Sequence, residues 1–413
     1  MEDIEIEVPQ YFICPISLQI MKDPVTVVTG ITYDRESIEQ WFLATNDLSC
    51  PVTKQALPRG DGLTPNHTLR RLIQQWCKEN ATNGVDLIPT PRLSLDKIYL
   101  TRLVRDLGVS HLQLTALKKL EALVLENDER KRFSMAEAGV AKAVILLVIR
   151  CFRGGETNGL LEAFRILHHV WNVSGDHEVQ LLVNGNTDFL DSLTWVFKCG
   201  LDQMDNHLLV KNEAILVSKM TMEVLSPCQL QRLNLEFFKN IVMVLKEKIS
   251  LKAVKSALHI LINACPWGRN RIKIVESGAV FQIIELELAK PEKRVTELIF
   301  NLLANLCGCA DGRDQLLKHG GGMAMVSKRI LRVSPATDDP AVHILSSIAM
   351  FSATHNVLSE MLLVGAVSKL CMVMQSDCEA YLKKKVRGIL RLHSNVWNNS
   401  PCIAVYLITR PRW

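Results

Sequence analysis

Cysteine, histidine and carboxylate at short spacing are the usual carriers of chemistry, and the front of this sequence offers Cys14, Cys50, Cys77 and His67. A pair of tetrahedral zinc sites needs ligands in close couples, and no C-x-x-C occurs in this stretch. The four candidates are too few and too scattered, so no metal is expected. Farther along, His168-His169 are adjacent on a helix-like run, where neighbours point in different directions and do not share an ion. Cys307-Gly308-Cys309 has the wrong spacing for a redox pair or a zinc knuckle and reads as core thiols at a helix end. No Gly-rich phosphate loop, H-E-x-x-H helix or G-x-S-x-G elbow appears. No cofactor is therefore expected.

The elements able to hold such side chains are legible over residues 8–81. Val25, Val27 and Ile31 alternate around Gly30, which predicts a small hairpin. Asp34 can cap a helix whose apolar face is Ile38, Trp41 and Phe42. Thr64-Pro65 reads as a cap followed by proline in the first turn, with Leu69, Leu72, Ile73 and Trp76 behind it at helical spacing. Two loop-like segments, Phe12–Leu18 and Cys50–Lys54, frame these elements. Ile16 and Leu18 alternate about Ser17, so either could face a core or solvent. The whole is a compact α+β module of about 70 residues, a size that usually needs support beyond its apolar core.

Taken in order, Phe12-Ile13-Cys14-Pro15-Ile16-Ser17-Leu18, Gly30-Ile31-Thr32-Tyr33-Asp34-Arg35-Glu36-Ser37, Cys50-Pro51-Val52-Thr53-Lys54 and Leu63-Thr64-Pro65-Asn66-His67-Thr68-Leu69 resemble the U-box, the zinc-free relative of the RING domain in ubiquitin ligases. The resemblance implies that hydrogen bonds and ion pairs hold the loops in place of metal, with Ser17, Asp23, Thr32, Asp34, Arg35, Glu36, Thr53 and Asn66 as candidates. It also implies that Ile16, Leu18 and Pro51 contact a ubiquitin-conjugating enzyme, with Trp41 in the helix groove between the loops. Lys54 stands where many such domains carry an arginine that grips the enzyme and ubiquitin together. Lysine lacks the planar fork of arginine, so its grip differs. U-box proteins carry no ubiquitin on a cysteine of their own. What they supply is proximity and a restricted pose for the thioester-bound ubiquitin.

The chain has 413 residues, which predicts more than one domain. With 48 basic and 43 acidic residues the net charge is +5, too balanced to argue for nucleic acid or a membrane surface. No basic segment leads into an apolar run at the start, and the most apolar run, Val140–Ile149, is interrupted by Lys142 and too short to span a bilayer. Twelve cysteines without regular spacing fit a reduced compartment. Cytoplasm, with the nucleus as a second location, is the expectation. Residues 1–7 read as an acidic arm, and residues 82–96, with Asn83-Gly84, Pro89 and Pro91, as a linker.

From residue 97 to 400 helical apolar spacing dominates and repeats. Runs beginning at Leu114, Leu161, Lys211, Leu251, Arg294, Pro340 and Lys385 are separated by 47, 50, 40, 43, 46 and 45 residues. That period belongs to helical armadillo or HEAT repeats, an all-α solenoid. Glycine landmarks at Gly139, Gly185, Gly278, Gly321 and Gly365 keep step, with one unit's landmark lost near Phe237, and are expected to allow close helix approach. Leu103, Leu107, Leu112 and Leu117 should cap one end, and Val386, Ile389, Leu390 and Trp397 the other. Residues 401–413 read as an extended tail. Ala257–Cys265 and Ile299–Cys307 resemble the groove-lining armadillo helix, which places Asn263 and Asn305 at its ladder position as candidates for holding a peptide backbone. Importin-type repeats pair such asparagines with tryptophan four residues earlier, where this sequence has His259 and Asn301.

A U-box followed directly by armadillo repeats resembles the plant U-box class with a short N-terminal region, whose members act in defence and stress signalling. The expected function is a ubiquitin ligase that docks a ubiquitin-charged conjugating enzyme and modifies a protein captured by the repeats. U-boxes often pair with themselves, so the resemblance also admits a homodimer. Two rival readings are a non-enzymatic armadillo scaffold with an inactive U-box and an import-type adaptor for basic peptides, against which the missing tryptophans count.

Overall fold

The computed structural model describes residues 8–45, 49–57, 63–81, 97–126, 128–174, 177–198, 206–398 and 400–409. The chain divides into two compact units, Met1–Asp96 and Lys97–Trp413. The acidic arm, the linker and Arg410-Pro411-Arg412 lie outside the described residues.

In the first unit a short 3-10 turn (Gln10–Phe12) precedes β1 (Pro24–Thr26), β2 (Thr32–Asp34), α1 (Arg35–Thr45), β3 (Thr64–Pro65) and α2 (His67–Glu79). The sheet order is β2-β1-β3, antiparallel throughout, with Val25 opposite both Tyr33 and Pro65. Gly30 turns the hairpin at φ 82°, a conformation that costs glycine little. Phe12, Val25, Tyr33, Ile38, Ile73 and Cys77 are buried together. Two expectations fail here. Thr64-Pro65 forms a strand, and α2 begins after Asn66, whose side chain accepts from the Leu69 amide at 3.0 Å. Leu72 also lies outside the core, about half exposed, because α2 turns Ile73 and Cys77 inward instead.

The second unit is helical throughout its described residues. Seven helices pack in succession: Ser110–Leu125, Leu160–Ser174, His207–Val224, Leu251–Ala264, Lys293–Leu306, Pro335–Phe351 and Ala380–Leu392. Each contains one of the seven repeat positions read from sequence, so the period marks this spine. The helices between them pack against this row. The Pro340 run starts earlier than expected, at Pro335, and Pro340 sits inside the helix. No single described helix is long and apolar enough to cross a membrane.

Three of the five glycine landmarks work for a different reason than crowding, while Gly185 and Gly321 have no positive φ. Gly139, Gly278 and Gly365 have φ of 73°, 83° and 74°, and a Cβ at any of them would meet nothing within 4 Å. Each reverses the chain into the next helix, so left-handed backbone, not helix approach, selects glycine. Close approach occurs at Gly312 instead, where a Cβ would stand 2.1 Å from the Leu306 carbonyl oxygen. Leu103, Leu107 and Leu117 are buried as expected of a cap, whereas Leu112 is exposed. At the other end Val386, Ile389 and Trp397 are buried. The extended tail is a correction: Pro401–Thr409 is a helix that packs on Ala366–Gln375 and buries Ile403.

Candidate docking site

The two loops of the first unit are one structure used twice. In the first, Cys14 N–H donates to the Gln19 carbonyl and its own carbonyl accepts from Leu18 N–H, both at 2.9 Å. In the second, Cys50 N–H donates to the Gln55 carbonyl and its carbonyl accepts from Lys54 N–H, both at 2.8 Å. Single bridges close the bases, Ile13 to Ile20 and Ser49 to Ala56. The fourth residue after each cysteine is left-handed, Leu18 at φ 55° and Lys54 at φ 58°. Six-residue sequences Cys-Pro-Ile-Ser-Leu-Gln and Cys-Pro-Val-Thr-Lys-Gln thus fold into matching knuckles, and the repeat itself was available to sequence reading.

Sulfur closes each knuckle. Cys14 and Cys50 are fully buried. The Cys14 sulfur accepts from the Asp34 amide at 3.3 Å and from Ser17. The Cys50 sulfur meets Thr29 Oγ1 at 3.4 Å, the Thr53 amide at 3.5 Å and the Tyr33 hydroxyl at 3.0 Å. The same hydroxyl accepts from the Val52 amide at 3.3 Å, which aims its proton at the sulfur. Burial pushes the Cys50 thiol up, but the bonds from Thr29, Thr53 and Tyr33 outweigh it and bring it down to about 6. Burial likewise opposes the fall at Cys14, where the amides of Asp34, Ser17 and Ile16 prevail. Burial and the Cys50 partner both push the Tyr33 hydroxyl up, so it stays the donor. Because Tyr33 holds the second knuckle and its neighbour Asp34 the first, strand β2 brackets the pair.

Most of the polar residues singled out from sequence make hydrogen bonds or ion pairs around the loops. Asp34 Oδ1 accepts the amides of Lys22 and Asp23 at 2.8 Å, bracing the return of the first knuckle. Asp23 Oδ2 pairs with Arg35 Nε at 2.8 Å and its other oxygen with Arg70. Thr32 and Thr26 hydroxyls meet at 2.9 Å, and Asn66 Nδ2 donates to Thr26 Oγ1 at 3.3 Å. Ser17 and Thr53 are equivalent, each holding the sulfur three residues before it. Glu36 is exposed in the first turn of α1, where a carboxylate favours the helix N-terminus. Sequence reasoning missed Cys14, Cys50, Tyr33, Thr29 and Arg70 as structural groups.

At the tips, Leu18 is 77% exposed and Val52 53%. Ile16 is half-buried against the core, as is Trp41, and Pro51 is half-buried. Lys54 Nζ stands 5.6 Å from the centre of the Trp41 ring, so these two candidates share one spot. Val52, not singled out from sequence, occupies the place in its knuckle that Ile16 holds in the other.

Residues 8–82 match the family described as U-box domain, and residues 100–412 that described as Plant U-box protein ARM repeat region. The chain belongs to the plant U-box ubiquitin ligases with armadillo repeats. It is 44% identical to E3 ubiquitin-protein ligase PUB23 of Arabidopsis thaliana, covering 98% of this chain and 97% of that one. E3 ubiquitin-protein ligases PUB24 and PUB22 of the same plant are 41% and 40% identical, over 99% and 97% of this chain and 97% and 98% of theirs. A crystal structure of an engineered protein is similar in fold at TM-score 0.51 and 17% identity, over 74% of this chain and 71% of that one. As a U-box ligase this chain engages a ubiquitin-conjugating enzyme and promotes transfer of ubiquitin from it.

The remaining candidates separate. Asn263 is exposed on its spine helix, but Asn305 Nδ2 is spent on the Asn301 carbonyl at 2.9 Å and side chain at 3.0 Å. His168 Nδ1 lies 3.2 Å from Glu213 Oε2 and its ring stacks on His169. Cys307 is buried, with burial pushing its thiol up to about 12, and Cys309 donates to the Leu306 carbonyl. Cys307 is the core thiol at a helix end that the spacing suggests, whereas Cys309 is half-buried and precedes the next helix, Ala310–Lys318.

Proposed function

We propose that the two knuckles form the surface on which the conjugating enzyme docks, and that the armadillo array captures the protein to be modified. The observation that carries this reading is the paired geometry: matched frames, cross-braced by Tyr33 and Asp34, present Leu18 and Val52 to solvent. Ile16 and Pro51 form the half-buried shoulders, and Lys54 over Trp41 puts a fixed cation at the edge. A few apolar anchors on a small patch suit a transient interface. The relatives support a ligase, the class resemblance supports a role in plant defence or stress signalling, and the unpatterned cysteines support the cytoplasm, with the nucleus as a second location. A homodimer is compatible with this arrangement.

The test uses the full chain with activating enzyme, conjugating enzyme, ubiquitin and ATP. Self-ubiquitination is expected, reduced at least tenfold in Ile16→Ala and Pro51→Ala proteins whose melting matches the parent. Variants as active as the parent would remove the docking assignment.

A further inference from the structure

Between the spine helices Pro335–Phe351 and Ala380–Leu392 lies a cleft of about 590 Å³. Its walls are Met350, Tyr381 and Leu392, each about half exposed although large and apolar. Tyr381, Lys385, Gly388 and Leu392 recur at i, i+4, i+7 and i+11, so one stripe of the second helix faces the cleft. Gly388 opens it: its place holds no side chain, and a Cβ there would touch nothing within 4 Å. The cleft sits on the exposed stripe of the spine. In the Pro335–Phe351 helix that stripe is His343, Ser346 and Met350, in register with His259 and Asn263 two helices earlier.

Charge identifies what the cleft would take. The Ala380–Leu392 helix carries Lys383, Lys384, Lys385, Arg387 and Arg391 and no carboxylate. Lys384, Arg387 and Arg391 are exposed and lie at i, i+3 and i+7, a cationic row beside the apolar stripe. Asp339, on the facing helix, is already engaged by Lys385 at 3.0 Å, while Lys385 also stands 5.4 Å from the Tyr381 ring centre; Glu379 lies at the helix N-cap, at the end away from Arg387 and Arg391. Asp338, on the same helix as Asp339, turns inward to accept the Leu331 amide.

We propose that this cleft docks an acidic segment of a protein partner. One bulky apolar side chain enters between Met350, Tyr381 and Leu392, and flanking carboxylates lie along Lys384, Arg387 and Arg391. The proposal rests on the reading that the array captures the protein to be modified, and it names the chemistry of what is captured.

The probe is a fluorescein-labelled peptide, Glu-Asp-Glu-Phe-Leu-Glu-Asp-Glu, titrated into the full chain by anisotropy at low salt. Saturable binding is expected, weakening at least tenfold in Gly388→Leu, which fills the cleft, and at least fivefold in Lys384→Glu. Gly388→Ala is expected to change it less than threefold. Binding should fall as salt rises. No saturable binding, equal binding of the peptide with lysine in place of every acid, or indifference to Gly388→Leu would overturn the proposal. Self-ubiquitination of Gly388→Leu should equal the parent's, which reports an intact U-box. The two readings separate by proximity labelling from the full chain. Partners marked by the parent and equally by Gly388→Leu overturn the cleft but leave capture by the array standing. A parent that marks nothing beyond conjugating enzymes overturns both.

Discussion

Leu18 carries a backbone penalty that its exposure makes useful. A left-handed conformation costs a branched residue about 1–2 kcal/mol, and the residue bearing it points its side chain at solvent. Leu18→Gly should release that strain, nearly offset by the freedom glycine gains when unfolded. The variant is therefore expected to melt no lower than the parent, by calorimetry, yet to lose most of its self-ubiquitination. A lower melting point with full activity would mean that Leu18 serves the fold. The Cys50 thiol makes a separate prediction. Its ordinary value is near 9 and its folded value about 6, so the folded state releases its proton first. Stability from this source is absent below about pH 6, grows between 6 and 9, and is complete above 9. Denaturation midpoints of the parent should rise across that window relative to Cys50→Ser, whose hydroxyl does not ionise there. A constant difference would show that the sulfur stays protonated. None of this was legible from the cysteine alone, because an accepting thiol and a core thiol have the same sequence signature.

At the scale of elements, capping signals explain both a success and two failures. Asn66 was expected in the polar network, and it both starts α2 and ties it to β1 through Thr26. Asn66→Ala should cost about 1–2 kcal/mol, read as a lower thermal midpoint, and Asn66→Asp, which keeps the cap and loses the amide donor, should fall between. Thr64-Pro65 carried the cap-and-proline signature but pairs with β1 instead, because the two residues complete the sheet edge opposite Val25. Ser400-Pro401 carries the same signature and does open a helix, where sequence reading left a tail. The pattern is local, and which copy is used depends on what packs beside it. Arg70 shows the limit most clearly. It reaches Asp23 across 47 positions, and no spacing rule links the two before the fold brings α2 against the knuckle return.

For the molecule as a whole, the repeat period was readable because every unit must bury its core against the next, which forces apolar faces to recur. The seven runs found in sequence fall in the seven successive spine helices. The connecting logic was not readable, since a glycine chosen for left-handed backbone and one chosen for closeness look alike. Their variants should not behave alike. Gly278→Ala strains only its own backbone and should cost about 1–2 kcal/mol. Gly312→Ala drives a methyl into the Leu306 carbonyl and should cost clearly more, or prevent folding of that turn. Urea midpoints of the two full-length variants decide the order, and equal losses would refute it.

The matched knuckles have one more implication. Their shape is set by main-chain bonds and a sulfur that Ser17 or Thr53 braces, so the most exposed apolar side chains are not the ones that hold the loop up. The outermost apolar position of each loop is thereby released from structural duty. Recognition can drift there, or be redesigned by exchanging Leu18 and Val52, while the underlying architecture stays as it is.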